Sequence, residues 1–223
     1  MTGPSLARQT AVVAAVALAA GSVATTAALV AQGRGKGADY PFRDVAALAE
    51  DGRIGTLAGA VSVLGIMLWA AAAAAALLGG LLLRDADRPG QGAALLGFAA
   101  LSAVGAIDDA FQVHEGLLPR IGLSQVVYPV LYGAAVGLLL IAGRRTWMAA
   151  APLVLAAALL FLGGSIAVDE VYALVGEGLG AGEVAIEDGL KFIGIALWAT
   201  FAVWSPRILV RESPTDGASR DAR

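Results

Sequence analysis

Residues 55–83 read GTLAGAVSVLGIMLWAAAAAAALLGGLLL, a run with no ionisable side chain that lies between Arg53 and Arg84. An α-helix needs about 20 apolar residues to cross the hydrocarbon core of a bilayer. The run is long enough for this, and its small residues suit a helix that packs closely against other membrane helices. It therefore predicts a transmembrane helix.

The composition of the whole chain indicates the same environment. Hydrophobic residues make up 58% of the sequence and charged residues 15%, and the mean hydropathy is +0.77. Soluble domains contain about 45–50% apolar and about 25% charged residues. The chain has no cysteine, which excludes disulfides and thiolate metal sites. Its net charge of −3 and its scattered basic residues exclude a nucleic-acid surface.

Further charge-free intervals predict five more spans. We expect an all-α, polytopic integral membrane protein, with a compact bundle of about six transmembrane helices in residues 1–210. A tail in residues 211–223, rich in Ser, Asp, Arg and Gly, is expected to be disordered and cytoplasmic. The predicted helices cover residues 11–32, 55–83, 91–115, 125–143, 147–174 and 187–209.

Two of these helices must include charged residues. The interval between Lys191 and Arg207 is too short to span a bilayer comfortably, so the sixth helix is expected to begin before Lys191. The same reasoning extends the third helix through Asp108 and Asp109. The first apolar run could instead be a signal peptide, although it is longer than a typical signal-peptide core.

The distribution of Lys and Arg over the loops predicts the orientation. One side would carry Arg8, Arg84, Arg88, Arg144, Arg145, Arg207, Arg211, Arg220 and Arg223. The other would carry Arg34, Lys36, Arg43, Arg53 and Arg120. This bias places both termini in the cytoplasm. The alanine-rich composition, with arginine in excess over lysine, is typical of a high-GC bacterium, so we expect the cell membrane of a bacterium.

Ionisable residues at membrane depth usually mark a functional site. They occur where predicted helices three and five end and where helix six begins. The parity of the crossings brings these three ends to one face of the membrane, whichever absolute orientation holds. The predicted polar pocket consists of Asp108, Asp109, Gln112, Glu115, Asp169, Tyr172, Glu187, Asp188 and Lys191.

Helical spacing assigns these residues to helix faces. Asp108, Gln112 and Glu115 fall within an arc of about 60° of the third helix, with Asp109 and His114 to either side. Acids near a helix C-terminus need a cation, a proton or a basic partner such as Lys191, because the helix dipole disfavours anions there. Alternatively, Lys191 forms only a structural helical ion pair with the residue one turn earlier.

His114 is the only histidine in the chain. With Asp108 and Glu115 it could bind a divalent metal; the oxygen-rich surroundings would suit Mg, Ca or Mn, or Zn through the imidazole. It could also relay protons or act only as an interface residue. No motif indicates a nucleotide or haem.

Three functions remain open at this stage. The first is cation or proton binding or relay at the extracytoplasmic face, in transport or sensing. The second is a membrane-embedded, possibly metal-dependent hydrolase or transferase acting on a lipid or envelope substrate. The third is a non-catalytic scaffold with structural ion pairs. The expected partners are the lipid bilayer and a small ion or lipid-like substrate, and neither enzymatic activity nor oligomeric state can be decided.

Overall fold

The computed structural model describes residues 4–43, 45–50, 52, 55–124, 126–175 and 181–211; for residues 46, 47, 50, 115, 170–175 and 181–183 it describes the backbone alone. Of these described residues, 84% are helical, and none lies in a strand. The helices are α1 (Leu6–Gly33), α2 (Val45–Glu50), α3 (Ala60–Asp85), α4 (Pro89–Phe111), α5 (Leu118–Arg120), α6 (Val127–Ala142), α7 (Arg144–Ala149), α8 (Pro152–Val175) and α9 (Ala181–Arg211). The all-α prediction is confirmed.

Five of the described helices, α1, α3, α4, α8 and α9, are long and apolar enough to cross a membrane. The apolar helix α6 has 16 residues and is therefore about 24 Å long. It runs antiparallel along α4: the hydroxyl of Tyr132 donates to the carbonyl of Leu101, and Leu139 lies beside Gly97. The chain is thus a multi-pass helical membrane bundle.

The outer surface of the bundle is apolar. Leu18, Met67, Leu138 and Leu160 lie on four different helices, and each is more than 60% exposed. Soluble monomers rarely leave large contiguous apolar patches in contact with water. This surface is suited to contact with lipid chains.

The helices α3, α4, α8 and α9 form the centre of the bundle. α3 packs along α4 and α9, and α8 packs along α9, while α1 lies against α9 and α6 against α4. The α3–α4 contact depends on two glycines: a Cβ at Gly80 would lie 3.0 Å from the carbonyl oxygen of Gly92, and a Cβ at Gly92 would lie 2.7 Å from that of Gly80. Any side chain at either position would push the helices apart.

A layer of aromatic side chains fills the middle of the core. Phe98 stacks on Trp198 with ring centroids 4.1 Å apart, and Phe201 and Trp147 pack against Phe98 at 5.2 and 6.1 Å. Trp69 meets the Trp198 ring edge-on at 5.6 Å. All five rings are buried, so this aromatic layer blocks the interior of the bundle.

Beyond the aromatic layer, one end of the bundle is held by basic side chains; we name it the arginine end. The guanidinium of Arg8 lies over the Trp204 ring, 5.4 Å from its centroid. Arg88 donates to the carbonyl of Leu209 at 2.6 Å, which satisfies an acceptor near the end of α9.

Several helices begin or end where the sequence did not predict. The third span ends at Phe111 instead of residue 115, because Gln112 adopts a left-handed conformation with φ 48°. The fifth begins at Pro152 after the separate short helix α7, and the sixth begins at Ala181. The predicted disordered tail covers residues 211–223; Arg211 is the last residue of α9, and residues 212–223 lie outside the described residues.

Candidate functional site

Side chains from three helices line one cavity at the end of the bundle opposite the arginine end. Asp108 comes from the C-terminal turn of α4, Asp169 from α8 and Lys191 from α9. We call this the carboxylate end. The parity of the crossings also predicts that Asp108, Asp169 and Lys191 lie at one common end of the bundle.

The break at Gln112 determines which side chains meet. After α4 the chain passes through a π-helical turn, Val113–Leu117, which carries His114 back towards the end of α4. In an uninterrupted α-helix, residues six apart lie about 120° apart around the axis. The α-helix therefore does not continue through residue 115, and His114 lies against Asp108 instead of to its side.

Asp108 and His114 form a close pair. The imidazole Nδ1 of His114 lies 2.9 and 2.7 Å from the two carboxylate oxygens of Asp108, and the backbone N–H of His114 donates to the same carboxylate at 3.0 Å. The side chain of Asp108 is 6% exposed and that of His114 is 25% exposed. With the carboxylate ionised, Nδ1 carries the proton that it donates, so Nε2 is the nitrogen that gains or loses one.

Two tyrosines of α6 extend this pair. The Tyr128 ring stacks on the imidazole of His114 at 5.4 Å, with planes 14° apart, and Tyr132 stacks on Tyr128 at 5.6 Å. Tyr128, Tyr132 and Asp108 line the same cavity. The stack fixes the plane of the imidazole ring.

Asp109, the next residue, faces a different helix. Its carboxylate accepts from Lys191 Nζ at 2.8 Å and from the indole N–H of Trp69 at 3.0 Å. The Asp109 side chain is 11% exposed and the Lys191 side chain 33%. Lys191 was expected as a partner for an acid near a helix C-terminus, such as Asp108 or Asp169, and it forms an ion pair with Asp109.

Two cavities adjoin the Asp109–Lys191 pair. The larger, of about 470 Å³, is lined by the ionisable groups Asp108, Asp109, His114, Asp169, Glu187 and Lys191. The smaller, of about 200 Å³, is lined by the polar groups Arg43, Asp109, Gln112, Glu187, Asp188 and Lys191, together with Ser62. Asp109, Glu187 and Lys191 thus contribute to both cavities.

The predicted pocket residues divide between these cavities. Five line the larger one: Asp108, Asp109, Asp169, Glu187 and Lys191. Gln112 and Asp188 line only the smaller one. The side chains of Glu115 and Tyr172 lie outside the description. The aromatic layer begins directly at this site, because Trp69 contacts both Asp109 and Trp198.

The predicted metal site consisted of His114, Asp108 and Glu115. The structure brings His114 and Asp108 together, but both oxygens of Asp108 already lie against Nδ1. Among the side chains that the structure describes, no group of three or more histidine or acidic residues is arranged to hold a metal ion.

Reasoning from charged residues missed Trp69, Tyr128 and Tyr132. Helix α6 contains no charged residue, so a search based on charged residues did not select it as part of the site. A usable signal was present, because Tyr128 and Tyr132 are four residues apart and therefore share a face of one helix.

No curated protein and no solved structure matches the chain. One family does match, over residues 10–205. The chain belongs to the family described as Domain of unknown function (DUF8692).

Proposed function

We propose that this protein binds and relays a proton at its carboxylate end, as a step in transport or in sensing. One observation carries the proposal. Asp108 and Asp109, adjacent in sequence, each hold a basic side chain at hydrogen-bond distance at one end of a membrane bundle. Ionisable groups are costly at membrane depth and are retained there mainly for function.

A proton suits these carboxylates better than a metal cation does. Asp108 already accepts from the imidazole and from a backbone N–H, and Asp109 accepts from an ammonium and from an indole N–H. A metal ion would have to displace these donors. A proton bound at the site changes the charge of the pairs and displaces none of these donors.

His114 is the group proposed to change its charge. An unperturbed imidazole titrates between about pH 5 and pH 8. Uptake at Nε2 would create an imidazolium that the Asp108 carboxylate stabilises. Because Asp109 follows Asp108 directly, the new charge also lies close to the Asp109–Lys191 pair.

We place this site at the extracytoplasmic face, because the excess of Lys and Arg in the opposite loops favours cytoplasmic termini. The aromatic layer blocks a continuous path to the arginine end in this conformation. Sensing needs only uptake and release at one face, whereas transport needs a second conformation in which the layer opens.

The test uses the fact that the chain has one histidine. With a histidine-free purification tag, ¹⁵N-histidine labelling in nanodiscs reports His114 alone. We expect one titrating imidazole between pH 5 and pH 8, and a midpoint lower by about one pH unit in Asp108→Asn. The control Asp87→Asn, an exposed residue near the arginine end, leaves the midpoint unchanged. An imidazole with constant charge from pH 5 to pH 9 would refute the proposal.

A second candidate is the membrane-embedded hydrolase, which the Asp108–His114 pair also favours. A carboxylate on Nδ1 orients an imidazole so that Nε2 can act as a general base, and the cavity beside it has room for a small substrate. The measurement is hydrolysis of bilayer phospholipid in proteoliposomes. Product formation that His114→Gln abolishes would move the assignment to this class.

A further inference from the structure

We propose that the larger cavity binds an amphiphilic cation, an amine or quaternary ammonium with an alkyl chain, that enters from the bilayer between α6 and α8. The inference rests on the proposed function, because it names the ligand whose handling the proton would serve. The volume of the larger cavity, about 470 Å³, lies within the range of about 300–1,000 Å³ that is usual for ligand pockets.

The cavity is open where α6 and α8 border it. Gly133 on α6 and Ile166 and Asp169 on α8 line the cavity, and all three are exposed. Helix α6 packs on α4 and α7, and no residue of α6 is buried. Leu138 on α6 and Leu160 on α8 are exposed apolar side chains, so a ligand that enters between these two helices would come from the bilayer.

The lining changes from polar to apolar with depth. Asp169 and Leu162, seven residues apart on α8, are separated by about 10 Å along the helix axis, and both line the cavity. The Trp69 ring lies beside Gly105, one turn before Asp109, and Gly133 follows Tyr132, whose hydroxyl donates to the carbonyl of Leu101. Both residues line the cavity farther from the carboxylate end than Asp108 does. A ligand with a polar head near the membrane boundary and an alkyl chain towards the bilayer centre matches this gradient.

The charge of the lining selects a cationic head. Four carboxylates face the cavity against one ammonium and one imidazole. Asp169 is exposed and has no hydrogen-bond or ion-pair partner among the described residues. The Tyr128 and Trp69 rings also line the cavity, and aromatic faces attract ammonium groups. An anionic head would be repelled.

Two glycines of α6 supply a matched pair of variants. A Cβ at Gly133 or at Gly137 would meet no atom within 4 Å, so there is open space beside the backbone at both positions. Only Gly133 lines the cavity. Leucine is also the better helix former, so Gly133→Leu should fill the cavity while Gly137→Leu leaves it open.

The experiment measures binding of radiolabelled dodecyltrimethylammonium to the protein in phosphatidylcholine nanodiscs, with empty nanodiscs subtracted. We expect saturable binding that dodecylamine displaces and that dodecanol and dodecanoate do not. Gly133→Leu should weaken binding more than about tenfold and Asp169→Asn about fivefold, while Gly137→Leu binds like the wild type.

Wild-type affinity in Gly133→Leu, or displacement by dodecanol at the same concentration as dodecylamine, would overturn the inference. If Gly133→Leu does not fold, the Asp169→Asn isotherm decides: unchanged affinity refutes the cationic site. The proton proposal is judged separately. A titrating His114 with no saturable binding removes the ligand alone, and saturable binding without titration removes the relay alone.

Discussion

The Asp109–Lys191 ion pair yields the sharpest prediction for stability. Lys191→Met removes the ammonium that lies 2.8 Å from the Asp109 carboxylate and leaves that carboxylate, 11% exposed, with the indole N–H of Trp69 as a donor. Loss of one partner from a fully buried pair costs about 3–5 kcal/mol. Because the Lys191 side chain is 33% exposed, solvent screens part of the ion-pair energy. We therefore expect the free energy of unfolding to fall by about 2 kcal/mol.

The assay is reversible unfolding in mixed detergent micelles at pH 7, with thermal unfolding as a second readout. For a chain of this length, about 2 kcal/mol corresponds to a Tm lower by about 4–8 °C. Asp109→Asn keeps an acceptor for Trp69 and is expected to cost about 1 kcal/mol. Arg144→Met, an exposed residue near the arginine end, serves as control and should change stability by less than about 0.5 kcal/mol.

The double variant tests the reasoning. Once Lys191→Met is made, Asp109→Asn removes an uncompensated buried charge, so the double variant should lose only about 1 kcal/mol, well below the sum of the two single losses. Losses that add within about 0.3 kcal/mol would show that the two side chains do not stabilise each other, and the assignment of a coupled pair would be withdrawn.

Other parts of the fold yield further predictions. Gly80→Leu should destabilise the bundle by more than about 2 kcal/mol, because its side chain would clash with α4. The control Gly90→Ala, where a Cβ meets nothing within 4 Å, should leave stability unchanged. Equal stability of the two variants would contradict the close α3–α4 contact. Phe98→Ala should cost about 3–5 kcal/mol in the same unfolding assay, since it empties the centre of the aromatic layer; a loss below about 1 kcal/mol would mean that the layer is loosely packed. Because the chain has no cysteine, single-cysteine labelling in intact cells can test whether α6 crosses the membrane: Arg120→Cys should react with an impermeant maleimide, and Arg144→Cys only after permeabilisation. Labelling of both from outside would contradict the crossing.

Much of the fold could be predicted from the spacing of charged residues. Whether a segment crosses a bilayer depends on its own apolar length, which is a local property. The third span illustrates the limit, because its apolar run does not reveal that Gln112 would end the helix and reverse the chain. Sequence reasoning therefore extended that helix to residue 115.

The choice of partners within the site could not be predicted in the same way. Lys191 was a candidate partner for several acids, and it meets Asp109 because of the rotation of α9 relative to α4. Contacts far from the charges hold that rotation in place, among them the Phe98–Trp198 stack and the hydrogen bond from the indole N–H of Trp198 to the Ser102 hydroxyl.

The amino-acid sequence by itself determined that the protein is an all-helical membrane protein. It also determined which acidic residues lie at the same end of the bundle. Both follow from hydropathy and from the direction of each crossing, which do not depend on neighbouring helices. Tertiary packing alone decided that His114 would bond Asp108, that Tyr128 would stack on the imidazole, and that an aromatic layer would block the interior. Those features depend on helix rotation and on one left-handed residue, and both follow from the packing of side chains distant in sequence.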